Sequence, residues 1–236
     1  MNTPDQTATT RRPRIVFIDG LPGSGKSTAA QTIGRRWPNC RVFLESHPGH
    51  PLLVGTPDAK GAAFARIHEV HSASSFAAAA LAALAAFLAS AEAGTCSVFE
   101  SHPLQSTVRV LAQLDASETA VLQFWSQVQD RLAAAEVALV YFSEPDPRQA
   151  LGDIMRARGP VWERYMVEAC DQYPWMQARG LSGRAGVFEL IGQYQSLLER
   201  LVAAWRFELL TLAGRPASYP QRTETMLTWL EQWAAA

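Results

Sequence analysis

The run GLPGSGKST, residues 20–28, sets glycines at 20, 23 and 25 ahead of Lys26, Ser27 and Thr28, in the order G-x-x-x-x-G-K-S. These residue types at this spacing suit phosphate chemistry. Glycine lets the backbone turn successive N–H groups toward one anion, and a helix beginning at Lys26 adds its positive end. Lys26 then reaches the β- and γ-phosphates of a nucleoside triphosphate, and the Ser27 hydroxyl binds Mg²⁺. Gly20, Gly23, Ser24, Gly25, Lys26, Ser27 and Thr28 form the expected nucleotide-binding set, with ATP and Mg²⁺ as cofactors. Lys26 is one of only two lysines, the other being Lys60.

A second pattern is a repeated tetrapeptide. VFLESHP and SVFESHP each end an apolar, strand-like run in Glu-Ser-His-Pro, at 45–48 and at 100–103. The flanking sequences differ, so the copies mark a shared place in the fold and not a duplicated unit.

The elements that position these residues follow from patterning. Runs rich in β-branched and aromatic residues at 14–19, 41–45, 96–100, 137–142 and 206–212 predict strands. Helical stretches at 26–36, about 60–92, 117–134 and, in pieces, 147–203 separate them. Such alternation predicts an α/β fold, a mostly parallel sheet with helices on both faces. Right-handed crossovers bring the C-terminal strand ends to one edge, where ligands bind. Both Glu-Ser-His-Pro copies belong on that edge. Prolines, glycines and arginines gather after the fourth strand, which predicts a helical lid insertion over about 145–186. The C-terminal segment, with Met226, Leu227, Leu230 and Trp233 at helical spacing, reads as a docking helix.

Bulk properties narrow the function. The 236 residues, 48% hydrophobic, suit one domain over 14–236 behind a flexible segment, 1–13. A net charge of −1 argues against nucleic acid or an anionic membrane as partner. The alanine-rich stretch 76–91 reads as a helix packed on the sheet. Cys40, Cys96 and Cys170 are odd in number and show no C-x-x-C pattern, so they are expected to be free thiols in a reducing, cytoplasmic setting. All five histidines fall between His47 and His102, and HEVH puts His68 and His71 on one helical face; the spacing does not match a zinc motif.

VFIDGLPGSGKSTAAQ resembles the start of a P-loop kinase of the nucleoside and nucleoside-monophosphate kinase superfamily. The resemblance implies a three-layer P-loop NTPase fold with a five-stranded parallel sheet of order 2-3-1-4-5. It also implies an acceptor held over the ends of the second and third strands and an arginine-bearing lid after the fourth, where YFSEPDPRQALGDIMRARG is similar. By the deoxynucleoside-kinase pattern, Glu45 takes the place of the base toward the acceptor hydroxyl and Glu100 that of a Mg²⁺-side carboxylate. Ser101 stands where that pattern has arginine. The implied lid arginines are Arg156 and Arg158, with Arg148, Arg179 and Arg184 as lesser candidates; Trp162, Tyr165 and Trp175 are placed to stack or to pack the insertion. AGRPASYP, 213–220, takes the place of the adenine-edge loop and does not distinguish ATP from GTP.

The expected partner is a small-molecule phosphate acceptor, with a homodimer left open. The competing reading is a nucleotide-dependent switch or regulatory ATPase, which would more often carry an aspartate after the fourth strand, where this chain has VYFSE.

Overall fold

The computed structural model describes residues 12–45, 47, 49–54, 72–213 and 219–235. Most of the N-terminal segment, His68 and His71, and residues 214–218 of the expected adenine-edge loop lie outside that set. The strands are β1 (Arg14–Gly20), β2 (Cys40–Phe43), β3 (Cys96–Glu100), β4 (Glu136–Ser143) and β5 (Glu208–Ala213). They form one parallel sheet in the order β2-β3-β1-β4-β5, as expected.

Continuous burial explains the central strands. Ile15, Val16, Phe17 and Ile18 are buried on both faces of β1, as are Val137 to Phe142 on β4. Each such valine, leucine, isoleucine or phenylalanine contributes about 1.5–3 kcal/mol by leaving water, and no polar alternation is needed in a strand covered on both sides. One face carries α2 (Ala73–Ser90), α4 (Glu118–Leu132) and the helices that follow β4; the other carries α1 (Lys26–Arg36) and α9 (Tyr219–Ala235). Helix α2 is apolar and long enough to cross a membrane by length and composition alone. Its Phe76, Leu81, Leu84 and Phe87 enter the main core, and its outer face is alanine.

Two expectations are corrected. Cys40 and Cys96 are joined in a disulfide, with Cα atoms 4.6 Å apart, and Cys170 alone is free. The cause is register, since Cys40 pairs with Cys96 across β2 and β3. The cysteine argument for a reducing compartment therefore does not stand.

The second correction concerns the residues after β3, for which no helix was expected. A π-helical turn, Leu104–Val108, runs into α3 (Arg109–Gln113) and is buried throughout. Tertiary burial overrides the poor helix propensity of Ser106, Thr107 and Val108.

Residues 145–186, expected as a helical lid insertion within the domain, are helical. They form α5 (Pro147–Arg158), α6 (Pro160–Asp171), α7 (Pro174–Ala178) and the start of α8 (Gly183–Ala203). Met155, Met166, Tyr173 and Met176 of this segment sit in the main core, so its inner face is part of the domain.

Candidate active site

The phosphate loop leaves β1 at Gly20. Its φ is 142°, and a Cβ there would stand 2.5 Å from the Phe142 carbonyl oxygen on β4. Only glycine fits so close a strand-to-loop passage. Gly25, with φ 98°, caps α1 in the left-handed region, and the helix begins at Lys26. The Lys26 ammonium is buried and donates to the Leu21 carbonyl at 2.8 Å. Burial lowers its pKa, against the opposing pull of Asp19, Glu100 and Glu45.

Glu100 ends β3 beside this loop. Its Oε1 accepts from the Ser27 hydroxyl at 3.1 Å and from the Ser101 hydroxyl at 2.7 Å, and its Oε2 accepts from the Glu45 amide at 2.8 Å. Ser27 and Glu100 thus bring a hydroxyl and a carboxylate oxygen together at the start of α1. This all-oxygen pair fits Mg²⁺, which takes few protein ligands and keeps several waters.

Glu45 lies two residues past the end of β2, not on the strand itself. Its Oε1 accepts from the Ser106 hydroxyl at 3.2 Å, its Oε2 accepts from Gln105 Nε2 at 3.1 Å, and Arg109 Nη2 lies 3.7 Å from Oε1. The buried segment after β3 therefore holds this carboxylate from below.

Sequence reasoning did not single out Asp19, the residue that ties both halves together. It is fully buried, and its two oxygens accept from the amides of Gly20 at 2.8 Å, Leu104 at 2.7 Å and Gln105 at 3.1 Å. Burial pushes its pKa up to about 7, opposed by Lys26 and these N–H groups. The available signal was an acidic residue inside an otherwise apolar strand.

The repeated tetrapeptide resolves differently for its two histidines. His102 is buried and stacks on His50, ring centroids 4.3 Å apart, whereas His47 packs edge-on to Phe43. Burial lowers His50 to about 3 and His102 to about 4, so both rings are neutral packing groups at pH 7. Ser101 takes φ 66°, a conformation costing about 1–3 kcal/mol. Its amide bonds to Ile18 O at 2.9 Å and its carbonyl to Ser106 N at 2.7 Å, which hold it there.

The lid candidates separate. Arg158 lies over the Trp162 ring at 4.8 Å and lines the cavity at the phosphate loop. Arg156 faces outward, paired with Asp153. Arg148, Arg179 and Arg184 pair with Glu189, Asp115 and Glu163 outside that cavity. Trp175 is buried, while Tyr165 is exposed. From α9, Arg222 Nη1 approaches Ser24 O at 3.4 Å, a contact at the phosphate loop that the sequence did not signal.

The cavity itself, of about 310 Å³, runs from Gly23, Gly25, Lys26 and Ser27 past Glu45 and Glu100 to Gln105, Arg109 and Gln113, with walls from α5, α6 and α8. Its lining joins the phosphate loop to the Glu45 carboxylate and the segment after β3.

No protein-family model matches this sequence, and no curated protein matches it. Solved structures do match in fold. Deoxyadenosine kinase from M. mycoides with bound dCTP superposes with a TM-score of 0.52 at 13% identity, covering 92% of this chain and 99% of that one. Thymidylate kinase from Candida albicans gives 0.51 at 12%, covering 94% and 92%. The YorR protein from Bacillus subtilis, solved in complex with phosphorylated GDP, gives 0.50 at 8%, covering 94% and 98%. The chain has the three-layer fold of the P-loop nucleoside and nucleotide kinases. At these identities the likeness defines the fold, and the chemistry rests on the site.

Proposed function

We propose that the protein is a kinase that transfers the γ-phosphate of ATP to a hydroxyl or phosphate of a small molecule. One observation carries this reading: a strand-fed phosphate loop and a carboxylate, Glu45, open into one cavity, joined by Glu100, which touches both Ser27 and the Glu45 amide. A switch protein needs the first feature but has no use for a second carboxylate held over an acceptor-sized space.

Each residue has a role in the reading. The loop N–H groups and Lys26 bind the triphosphate and neutralise its charge. Ser27 and Glu100 would hold Mg²⁺, which would supply positive charge to the phosphate oxygens. Glu45, oriented by Gln105, Ser106 and Arg109, takes the proton of the acceptor hydroxyl as its oxygen bonds to the γ-phosphorus. The bond to the β–γ bridging oxygen breaks, and ADP leaves. Arg158 closes over the transferring group. We further propose that the protein acts without nucleic acid or membrane, and we leave a homodimer open.

The test is incubation with Mg-ATP and a pool of nucleosides, nucleotides, sugar-like metabolites and hydroxylated antibiotics, followed by mass spectrometry. One component is expected to gain a phosphoryl group with the native protein and not with Lys26→Ala. ATP binding without any modified component would favour the switch.

A further inference from the structure

We propose that the acceptor is an uncharged aliphatic alcohol bearing hydrogen-bond donors, and neither a nucleoside monophosphate nor a flat nucleobase compound. This rests on the kinase reading of the same cavity.

The reacting group comes first. Glu45 carries a carboxylate held by three polar side chains and open to the cavity. Such a group can accept a proton from a hydroxyl but repels a phosphate dianion placed beside it. Among the described residues lining the cavity the cations are Lys26, Arg109 and Arg158. Lys26 belongs to the phosphate loop, Arg109 faces Glu45 and donates from Nε to the Gln105 carbonyl at 3.0 Å, and Arg158 lies over Trp162. Among the described residues, the aliphatic wall contributed by α5, α6 and α8 carries no charge besides Arg158.

The shape of that wall is the second argument. Leu151, Met166, Val187, Leu190 and Ile191 form it, with Trp162 beneath Arg158. Among the described lining residues only Trp162 and Tyr194 carry aromatic rings, against five branched or flexible aliphatic side chains. Branched aliphatic walls fit a non-planar body.

Third, buried polar atoms wait for donors. Gln105 Nε2 donates to a carboxylate, which can only accept, so the orientation of that amide is fixed and its Oε1 is left over. Gln105 Oε1, Gln113 Oε1 and the Tyr194 hydroxyl are buried at the cavity without a partner among the described residues. A buried carbonyl that loses water without gaining a donor is costly, so a molecule with N–H or O–H groups fits this cavity better than one without.

The test uses Mg-ATP and three separate acceptor sets: uncharged aliphatic amide-alcohols and cyclic polyols (panthenol and myo-inositol among them), 2′-deoxynucleosides, and nucleoside 5′-monophosphates. Transfer is expected in the first set alone. Gln113→Leu should then raise KM for that acceptor by about tenfold, with kcat within about twofold, as for loss of one buried hydrogen bond that does not touch the reacting atoms. Should the leucine variant fail to fold, Gln113→Asn, which withdraws the carbonyl by one methylene, is expected to give the same split. Transfer to nucleosides or monophosphates instead, transfer to none of the three sets while ATP binds, or an unchanged KM in both variants would overturn the inference. Absence of ATP binding to the native protein would overturn the kinase reading itself.

Discussion

Asp19 shows how much one buried side chain can organise. Its carboxylate accepts N–H bonds from the first residue of the phosphate loop and from the two residues that begin the helical segment after β3. In Asp19→Asn the size is kept, but an NH₂ group would replace an oxygen that faces N–H donors. Loss of about 2–3 kcal/mol of stability, the cost of unsatisfied buried groups, is expected in denaturant unfolding; a variant as stable as the native protein would show that the bonds contribute nothing. The two lid arginines allow a sharper contrast. Arg158→Ala should lower kcat by more than it weakens ATP binding, and Arg156→Ala should leave both within about twofold, because Arg156 is an exposed partner of Asp153. Steady-state kinetics with a calorimetric ATP affinity separates these outcomes, and equal effects from both would demote the position of Arg158. Residue types at the phosphate loop were legible in the sequence because glycines there obey a backbone rule that holds in any fold. Asp19 was not, since its worth depends on which distant amides arrive beside it.

At the scale of elements, the strands and their order were legible, and the segment after β3 was not. Strands β1, β3 and β4 are buried on both faces, so their apolar runs stand out against the flanking turns. Residues 104–113 set Leu104, Val108 and Leu111 at helical spacing, but the stripe is short and broken by Ser106 and Thr107, which are poor helix formers, so burial beneath the site decides the helix. Gln105, Arg109 and Gln113, half of the candidate acceptor machinery, lie in that segment. The disulfide has a different lesson. Both cysteines stand at strand starts, and the order β2-β3 places such residues in register. Strand order and cysteine position together contained the signal, which cysteine counting alone discards. The bond closes a span of 56 residues that includes Glu45 and the chain leading to β3. Cys40→Ser or Cys96→Ser should therefore cost on the order of 4 kcal/mol in the chain-entropy limit. Denaturant midpoints of the oxidised native protein and of either variant measure it; coincident midpoints would show that the edge strand is held by packing alone.

Over the whole molecule, the balance of buried titratable groups sets the acid limit. His50 and His102 fall to about 3 and about 4 in the fold, from 6.5 outside it. Below about pH 6.5 the unfolded chain takes up protons that the folded protein refuses, so stability present above that pH is lost progressively toward pH 4. Asp19, raised to about 7, acts in the opposite sense, losing its contribution as pH rises from 3.8 toward 7. Two depressed histidines against one raised carboxylate leave the acid side weaker. The thermal midpoint is expected to fall between about pH 7 and about pH 4.5; a level or rising midpoint would contradict the buried neutral histidine pair.

In the proposed kinase, one cavity serves donor and acceptor through separate groups, with Glu45 on the acceptor side. The most direct measurement compares Glu45→Gln with the native protein in both kcat for phosphoryl transfer and Kd for Mg-ATP. Loss of a general base should depress kcat by about 10²-fold or more, with the Kd for ATP within about threefold. Native-like turnover, or equal losses in transfer and ATP binding, would contradict a proton-accepting role for Glu45 and the division of the cavity it implies.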